Sequence, residues 1–340
     1  MTTPHTVATD PGTDWVRDTA SAIEPPPDAQ VDPAPEARWP AVAERTGVYG
    51  VVTPNVVLLD GAGWRLYYTQ ILPRPGCPQG ANDYHNATTR ILSATSVDGA
   101  TWTPEPGVRL SSQVGGGGEY RVVSPEVVPL DDGSGDLRMY YECGPGPQSV
   151  ASSIRSVISS DGGTNWTAEA GERLAGGGSY NSPRVIVLED GRWRLYCSSR
   201  GVGIISSISQ DGGRTFEPEP GTRVAPSTSY EAVTAFAPEV LRIAGAGYRM
   251  YYAGYSAPNR AYLLSAVSDD GLTWQKETEP VIIPGGRWDR VKCSEMCVMS
   301  LPDSERDETS YRIFYEACDG TAADERGVWR IAAATSSVTK

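Results

Sequence analysis

Five residues at one register of a repeated segment carry most of the chemistry this chain offers: Asn55, Glu126, Arg184, Glu239 and Glu295. Four of them follow a proline, in Thr53-Pro54-Asn55-Val56, Ser124-Pro125-Glu126-Val127, Ser182-Pro183-Arg184-Val185 and Ala237-Pro238-Glu239-Val240. The fifth sits in Cys293-Ser294-Glu295-Met296. Alternate side chains of a strand share a face, so the residues before and after each proline are expected to point the same way. Three carboxylates, a guanidinium and an amide brought together would push carboxyl pKa values apart. Like charges raise one another, and Arg184 lowers its neighbour. Such a split supplies an acid and a base. The same three glutamates could instead hold water or a calcium ion, which takes several oxygen ligands. No cofactor is required by this pattern.

A second repeat shows what would position these residues. The phrases Trp64-Arg65-Leu66-Tyr67-Tyr68, Leu137-Arg138-Met139-Tyr140-Tyr141, Trp193-Arg194-Leu195-Tyr196-Cys197, Tyr248-Arg249-Met250-Tyr251-Tyr252 and Tyr311-Arg312-Ile313-Phe314-Tyr315 each read as an aromatic-rich strand. A small, β-branched strand follows, as in residues 91–96 and 262–268. Then comes a turn in which Asp98, Asp161, Asp211 or Asp270 precedes Gly, with Trp102, Trp166, Phe216 or Trp274 closing it. The carboxylate can accept the turn's N–H groups and Gly can take positive φ, so these Asp residues read as structural. A period of roughly 50–70 residues with several strands per copy is the mark of a propeller.

The reading is therefore all-β, a five-bladed β-propeller of four-stranded antiparallel blades over residues 47–340. Residues 1–46, with Pro25-Pro26-Pro27 and Pro33-Ala34-Pro35, read as a Pro/Ala-rich lead-in. The fifth repeat stops at its third strand, near Ser336. That leaves an edge which the lead-in could pair with, closing the last blade.

Bulk properties narrow the partners. Gly 37 and Pro 27 suit many short strands joined by turns, and Tyr 17 against Phe 3 favours rings that keep a hydroxyl near a polar group. A net charge of -13 argues against nucleic acid. No stretch approaches a membrane span, and the first 25 residues show no apolar signal region. The expected partner is a small molecule or saccharide. Of the six cysteines, Cys293 and Cys297 would lie about 13 Å apart on a strand at ~3.3 Å per residue. That exceeds the ~7 Å reach of a disulfide, so reduced, buried thiols and a cytoplasmic location are expected.

Loops opposite the Asp turns should form the functional face. They and the approaches to the first strands present Arg121, Tyr180, Asn181, Tyr230, Glu231, Asp289 and Arg290, types suited to stacking on and bonding a polar ligand. The longest loop holds Asp83, Tyr84 and His85, and His85 is a candidate for proton transfer.

Together the Pro-x-Val strands, the Arg-Leu/Met-Tyr-Tyr phrase and the Ser-x-Asp-Gly-x-x-Trp turn resemble the five-bladed propeller glycosidases. These are glycoside hydrolase family 43 and the related invertase and mannoside phosphorylase families, and the resemblance runs from about residue 47 to the C-terminus. It implies an Asp before Pro in the first and third blades and a Glu shortly before Pro in the fourth. The matching positions here hold Thr53, Ser182 and Phe236-Ala237, so that triad is not matched. A sialidase-like site would need clustered arginines, for which Arg121, Arg184 and Arg290 are the candidates.

The combined expectation is a glycoside hydrolase-like enzyme acting on a sugar or glycoside at the propeller axis. Glu126 and Glu239 would be acid and base, with Glu295 tuning them and Arg184 and Asn55 orienting the substrate. The alternatives are a cyclase, lyase or isomerase of a small metabolite on the same scaffold, and a non-catalytic sugar- or ligand-binding propeller.

Overall fold

The computed structural model describes residues 7–24, 49–59, 63–73, 87–111, 121–130, 132–145, 150–174, 177–256, 260–303, 308–320 and 328–338. They form an all-β propeller of four-stranded antiparallel sheets. Strands β1 (Val7–Ala8) and β2 (Val16–Arg17) come first. The first sheet holds β3 (Tyr49–Leu59), β4 (Gly63–Pro73), β5 (Ala87–Ser96) and β6 (Thr103–Pro104), with β7 (Leu110–Ser111) also on β5. The second runs β8 (Arg121–Pro129), β9 (Leu137–Gly144), β10 (Ser153–Ser159), β11 (Thr167–Ala168). The third runs β12 (Tyr180–Val187), β13 (Trp193–Ser199), β14 (Gly203–Ser209), β15 (Glu217–Pro218). The fourth runs β16 (Thr234–Ile243), β17 (Gly247–Ser256), β18 (Arg260–Ser268), β19 (Gln275–Lys276). The fifth runs β20 (Lys292–Asp303), β21 (Glu308–Cys318) and β22 (Val328–Val338), and β2 completes it, antiparallel to β22. The innermost strands touch in the order β3, β8, β12, β16, β20, and β20 returns to β3.

Each aromatic phrase forms the second strand of its sheet and is buried on both faces. In β4, Leu66 and Tyr68 pack into one hydrophobic cluster and Tyr67 into the next. A strand covered on both sides needs no polar alternation, which is why the phrase is almost continuously apolar. Its fourth residue meets the turn aromatic of the following sheet edge-on. The ring centroids are 5.9 Å apart for Tyr67–Trp166, 5.8 Å for Tyr140–Phe216 and 6.1 Å for Tyr196–Trp274. Such pairs contribute roughly 0.5–1.5 kcal/mol each beyond burial. The hydroxyl of Tyr67 also donates to Gly163 O at 3.1 Å. Gly163 sits at φ 88°, and a Cβ there would lie 2.0 Å from that hydroxyl, so no other residue fits.

The N-terminal segment supplies the missing part of the fifth repeat. Asp10-Pro11-Gly12-Thr13-Asp14-Trp15 is a further Asp turn, with proline where its counterparts have glycine. Asp10 Oδ1 accepts from Gly12 N at 2.9 Å, Tyr251 donates to Gly12 O at 2.6 Å, and Trp15 meets Tyr251 at 5.7 Å. Three residues past the turn aromatic, Glu169 accepts from Arg138 Nε at 2.7 Å and Ser156 Oγ at 2.6 Å. Asp18, three residues past Trp15, does the same for Arg312 at 3.1 Å and Thr335 Oγ1 at 3.2 Å. Ile23 then bridges to Ile331 as Ile282 does to Leu263. The five described sheets thus share one pattern, with the fifth assembled from both ends of the sequence.

The innermost strands do not alternate as expected. Thr53, Ser124, Ser182 and Ala237 have φ of 56°, 54°, 50° and 49°, and pairing skips residues at each site. This left-handed residue before proline makes a bulge. The residues before and after proline therefore face opposite ends of the channel. The register also corrects the fifth copy. Asn55, Glu126, Arg184 and Glu239 lie opposite the phrase's fourth residue, and in the fifth sheet Cys297 does so, facing Phe314. Glu295 is the counterpart of Ser124 and Ser182, two residues from its expected register.

Removing residues 1–24 takes Gly12 and Trp15 from Tyr251 and Asp18 from Arg312, and opens the edge of β22. The expected result is a chain that aggregates or melts at least about 10 °C lower in calorimetry. An unchanged Tm would mean that the segment contributes nothing to closure.

Candidate functional site

The Arg184 guanidinium occupies the axis. Its Nε donates to Glu239 Oε2 at 2.9 Å, and Glu126 Oε2 lies 3.8 Å away. Nη1 donates to Pro183 O at 2.9 Å, and Nη2 to Pro54 O at 3.1 Å and Met296 O at 3.0 Å. Burial works against its charge, but Glu126, Glu239 and Glu295 outweigh it and hold the group protonated.

The neighbouring side chains join each innermost strand to the next. Asn55 Oδ1 accepts from Val127 N at 2.9 Å, Glu126 Oε1 from Val185 N at 3.0 Å, and Glu239 Oε1 from Val298 N at 2.9 Å. Asn55 Nδ2 donates to Glu126 at 2.5 Å, and the Val56 amide reaches Cys297. These groups border only a small cavity of about 130 Å³ on the Asp-turn side, beside Ala8. Glu126 and Glu239, expected as acid and base, are thus bound into the framework. Arg184 stands between them where a calcium ion would have to sit. Among the described residues no group of three or more His, Cys, Asp and Glu is arranged to hold a metal ion.

Above this plug lies a cavity of about 560 Å³, within the range of small-ligand sites. Its floor is Glu295, which crosses from the fifth sheet to accept from Ser182 Oγ at 2.6 Å and Ser124 Oγ at 3.0 Å. Burial pushes its carboxyl up, while Arg184, Ser182 and Ser124 oppose that rise. Two further glutamates line the walls. Burial pushes Glu142 up to about 7, with Arg121 opposing, Glu295 adding, and Asn181 and Arg200 opposing. Burial and Glu295 push Glu316 up to about 8, against Ser294 Oγ and Thr53 N, which both bond it, and Lys292. Arg121, Asn181, Arg200, Lys292, Tyr255 and Trp329 also line it.

Of the expected site residues, the cavity therefore gathers Glu295, Arg121 and Asn181. The rest lie elsewhere for identifiable reasons. Tyr180 is buried in a hydrophobic cluster with Leu174 and Trp193. Tyr230 packs on Tyr262, with centroids 5.1 Å apart. Glu231 is fully buried against Lys276 and accepts from Ser227 N at 3.1 Å. Asp289 takes Arg17 at 2.9 Å and Tyr315 Oη at 3.1 Å, tying down the N-terminal segment. Arg290 is exposed and donates to Asp319 O at 3.0 Å. Arg121, Arg184 and Arg290 accordingly do not converge. His85, Asp83 and Tyr84 fall outside the described residues. All five described cysteines are buried, and none is in a disulfide.

Glu142 and Glu316 went unnoticed in the sequence, although a signal exists. Both come directly after the aromatic phrase, at the position that is Thr69, Ser198 and Ala253 in the other copies. Only these two copies place an ionisable group there.

A closed ring of antiparallel sheets with a polar cavity at one end of its axis defines a propeller with an axial site. The chain belongs to the BNR repeat-like domain family, whose match spans residues 78–307. No curated protein matches it in sequence. Among solved structures it is similar to an N-acetylgalactosamine deacetylase from F. plautii in complex with blood group B trisaccharide. The two share 18% identity over 95% of each chain, with a TM-score of 0.66. It is also similar to a glycosyl hydrolase from Bacteroides ovatus, at 14% identity over 94% of this chain and 93% of that one, TM-score 0.67. A thermostable family-43 glycoside hydrolase matches at 17% identity over 85% and 90%, TM-score 0.59. At such identities the likeness is one of fold, and it bears out the resemblance to the propeller glycosidases at that level.

The raised carboxyls make stability depend on pH. Folding holds Glu142 and Glu316 neutral, whereas the unfolded chain ionises them near the ordinary value of 4.5. Their folded pKa values lie above the unfolded ones, so this contribution is full below about 4.5 and is lost as pH rises to about 7 and about 8. Tm should fall across that window, and fall less in the Glu142→Gln/Glu316→Gln double variant. Equal slopes in the two proteins would assign the pH dependence to other groups.

Proposed function

We propose that the chain is a five-bladed propeller enzyme acting on a sugar or glycoside, with the ligand held in the upper cavity. The observation that carries this reading is the trio Glu142, Glu295 and Glu316, three carboxyl groups around one cavity with unlike surroundings, Glu295 and Glu316 buried and Glu142 half-buried. Glu295, bonded by two serine hydroxyls and facing Arg184, is suited to remain the carboxylate. Glu142 and Glu316, raised towards neutrality, are suited to donate a proton. Glycoside cleavage needs such a pairing of acid and carboxylate. Arg121 and Asn181 would orient the ligand's polar edge. The sugar-acting proteins of the same fold support this choice of substrate class.

Turnover of an aryl-glycoside panel tests it. Glu295→Gln should lower kcat/KM by at least about 100-fold, and Glu142→Gln or Glu316→Gln by about 10² to 10⁴-fold. Glu126→Gln and Glu239→Gln should act on Tm far more than on kcat. Full activity in all three cavity variants would refute the assignment. Ligand-induced thermal shifts without product would favour a binding protein instead.

A further inference from the structure

The cavity is chemically lopsided. Arg121 and Glu142 stand on the second sheet. The fourth sheet, not adjacent to it in the ring, contributes Val233, Phe236, Tyr255 and Ala261, with Thr234 its one small polar side chain there. At the two positions where other sheets turn a hydroxyl or carboxyl to this end, it carries Ala237 and Ala253. Trp329 of the fifth sheet extends the apolar wall. Val233 is 53% exposed, one of few large aliphatic side chains left so open among the described residues. Phe236 and Tyr255 are half-buried, and Lys292 Nζ lies 4.8 Å from the Tyr255 ring centroid, which fixes that ring's place. Below, Glu295 and the Arg184 plug close the floor, so a ligand ends in the cavity and cannot run through the axis.

We infer that this wall is a subsite for an apolar substituent, and that the ligand is a small glycoside bearing an aromatic or alkyl group. This deepens the reading of the site as sugar-acting and rests on it. The polar ring would meet Glu142, Arg121 and Asn181, and the apolar group would cover Val233, Phe236 and Tyr255. An unsubstituted oligosaccharide would leave that surface facing hydroxyls. Covering an exposed apolar wall is favourable in proportion to the area removed from water, and a pocket of this kind discriminates by roughly 10- to 200-fold per group.

The test compares phenyl and methyl glycosides of glucose, galactose, mannose, xylose and arabinose on the full chain, with dissociation constants from calorimetry. For whichever sugar binds, the phenyl compound should bind at least about tenfold more tightly. Val233→Ser and Phe236→Ser should each bring that ratio towards one while leaving methyl-glycoside affinity unchanged. Val233 is exposed, so its variant keeps the fold even if the Phe236 variant does not. A ratio near one in the unaltered protein, or one that survives Val233→Ser, overturns the subsite. Turnover without phenyl preference removes this inference alone, phenyl preference without turnover removes the enzymatic reading alone, and binding of neither class overturns both.

Discussion

One guanidinium joins all five described sheets. Arg184 belongs to the third sheet, donates to backbone carbonyls of the first and fifth, pairs with Glu239 of the fourth and faces Glu126 of the second. A buried cation without partners would be prohibitively costly, and removing one partner of a buried pair typically destabilises by about 3–5 kcal/mol. The arrangement is therefore all or nothing. Glu126 and Glu239 answer the charge of Arg184 with one oxygen each and an amide of the next innermost strand with the other. The ring of sheets is closed at its narrowest radius by this network, and the axis ceases to be a through channel.

That closure has a counterpart at the outer radius. The fifth sheet would otherwise expose β22, and the N-terminal turn from Asp10 to Trp15 reproduces there the contacts that the turns of the second, third and fourth sheets make with their neighbours. The same segment reaches the site. Arg17 fixes Asp289, which bonds Tyr315, and Tyr315 directly precedes Glu316. Strand β20, which carries Lys292 and Glu295, begins three residues after Asp289. The chain end that closes the ring also sets the wall on which two of the three cavity carboxyls stand.

Much of the scaffold was legible in the sequence, since repeated aromatic phrases and Asp turns report packing that recurs in every sheet. The site was less so, for three physical reasons. A left-handed residue before proline inverted the face of the residues after it, so strict alternation put Glu126 and Glu239 in the wrong place. The fifth copy has Met296 in place of proline, and without that landmark Glu295 was set two residues out of register. The fifth turn replaces its first glycine with Pro11 and lies at the other end of the chain, which hid it from a linear count. Glu295 was singled out as an acid of the ring after proline, and the structure sets it instead in the small, hydroxylated set with Ser124 and Ser182.

The same contrast separates structural from chemical carboxylates here. Residues opposite the phrase's fourth side chain touch the next innermost strand, and any acid there is consumed by an amide or by Arg184. Residues at the bulge itself, or just past the phrase, face the cavity, where Glu295 meets serine hydroxyls of two other sheets and Glu316 meets the Thr53 amide. In a fold whose sheets must all be joined at the axis, the first layer cannot be spared for chemistry. Glu142, Glu295 and Glu316 occupy the layer above it, where burial raises the proton affinity of all three and the charge of Glu295 adds to the rise at Glu142 and Glu316.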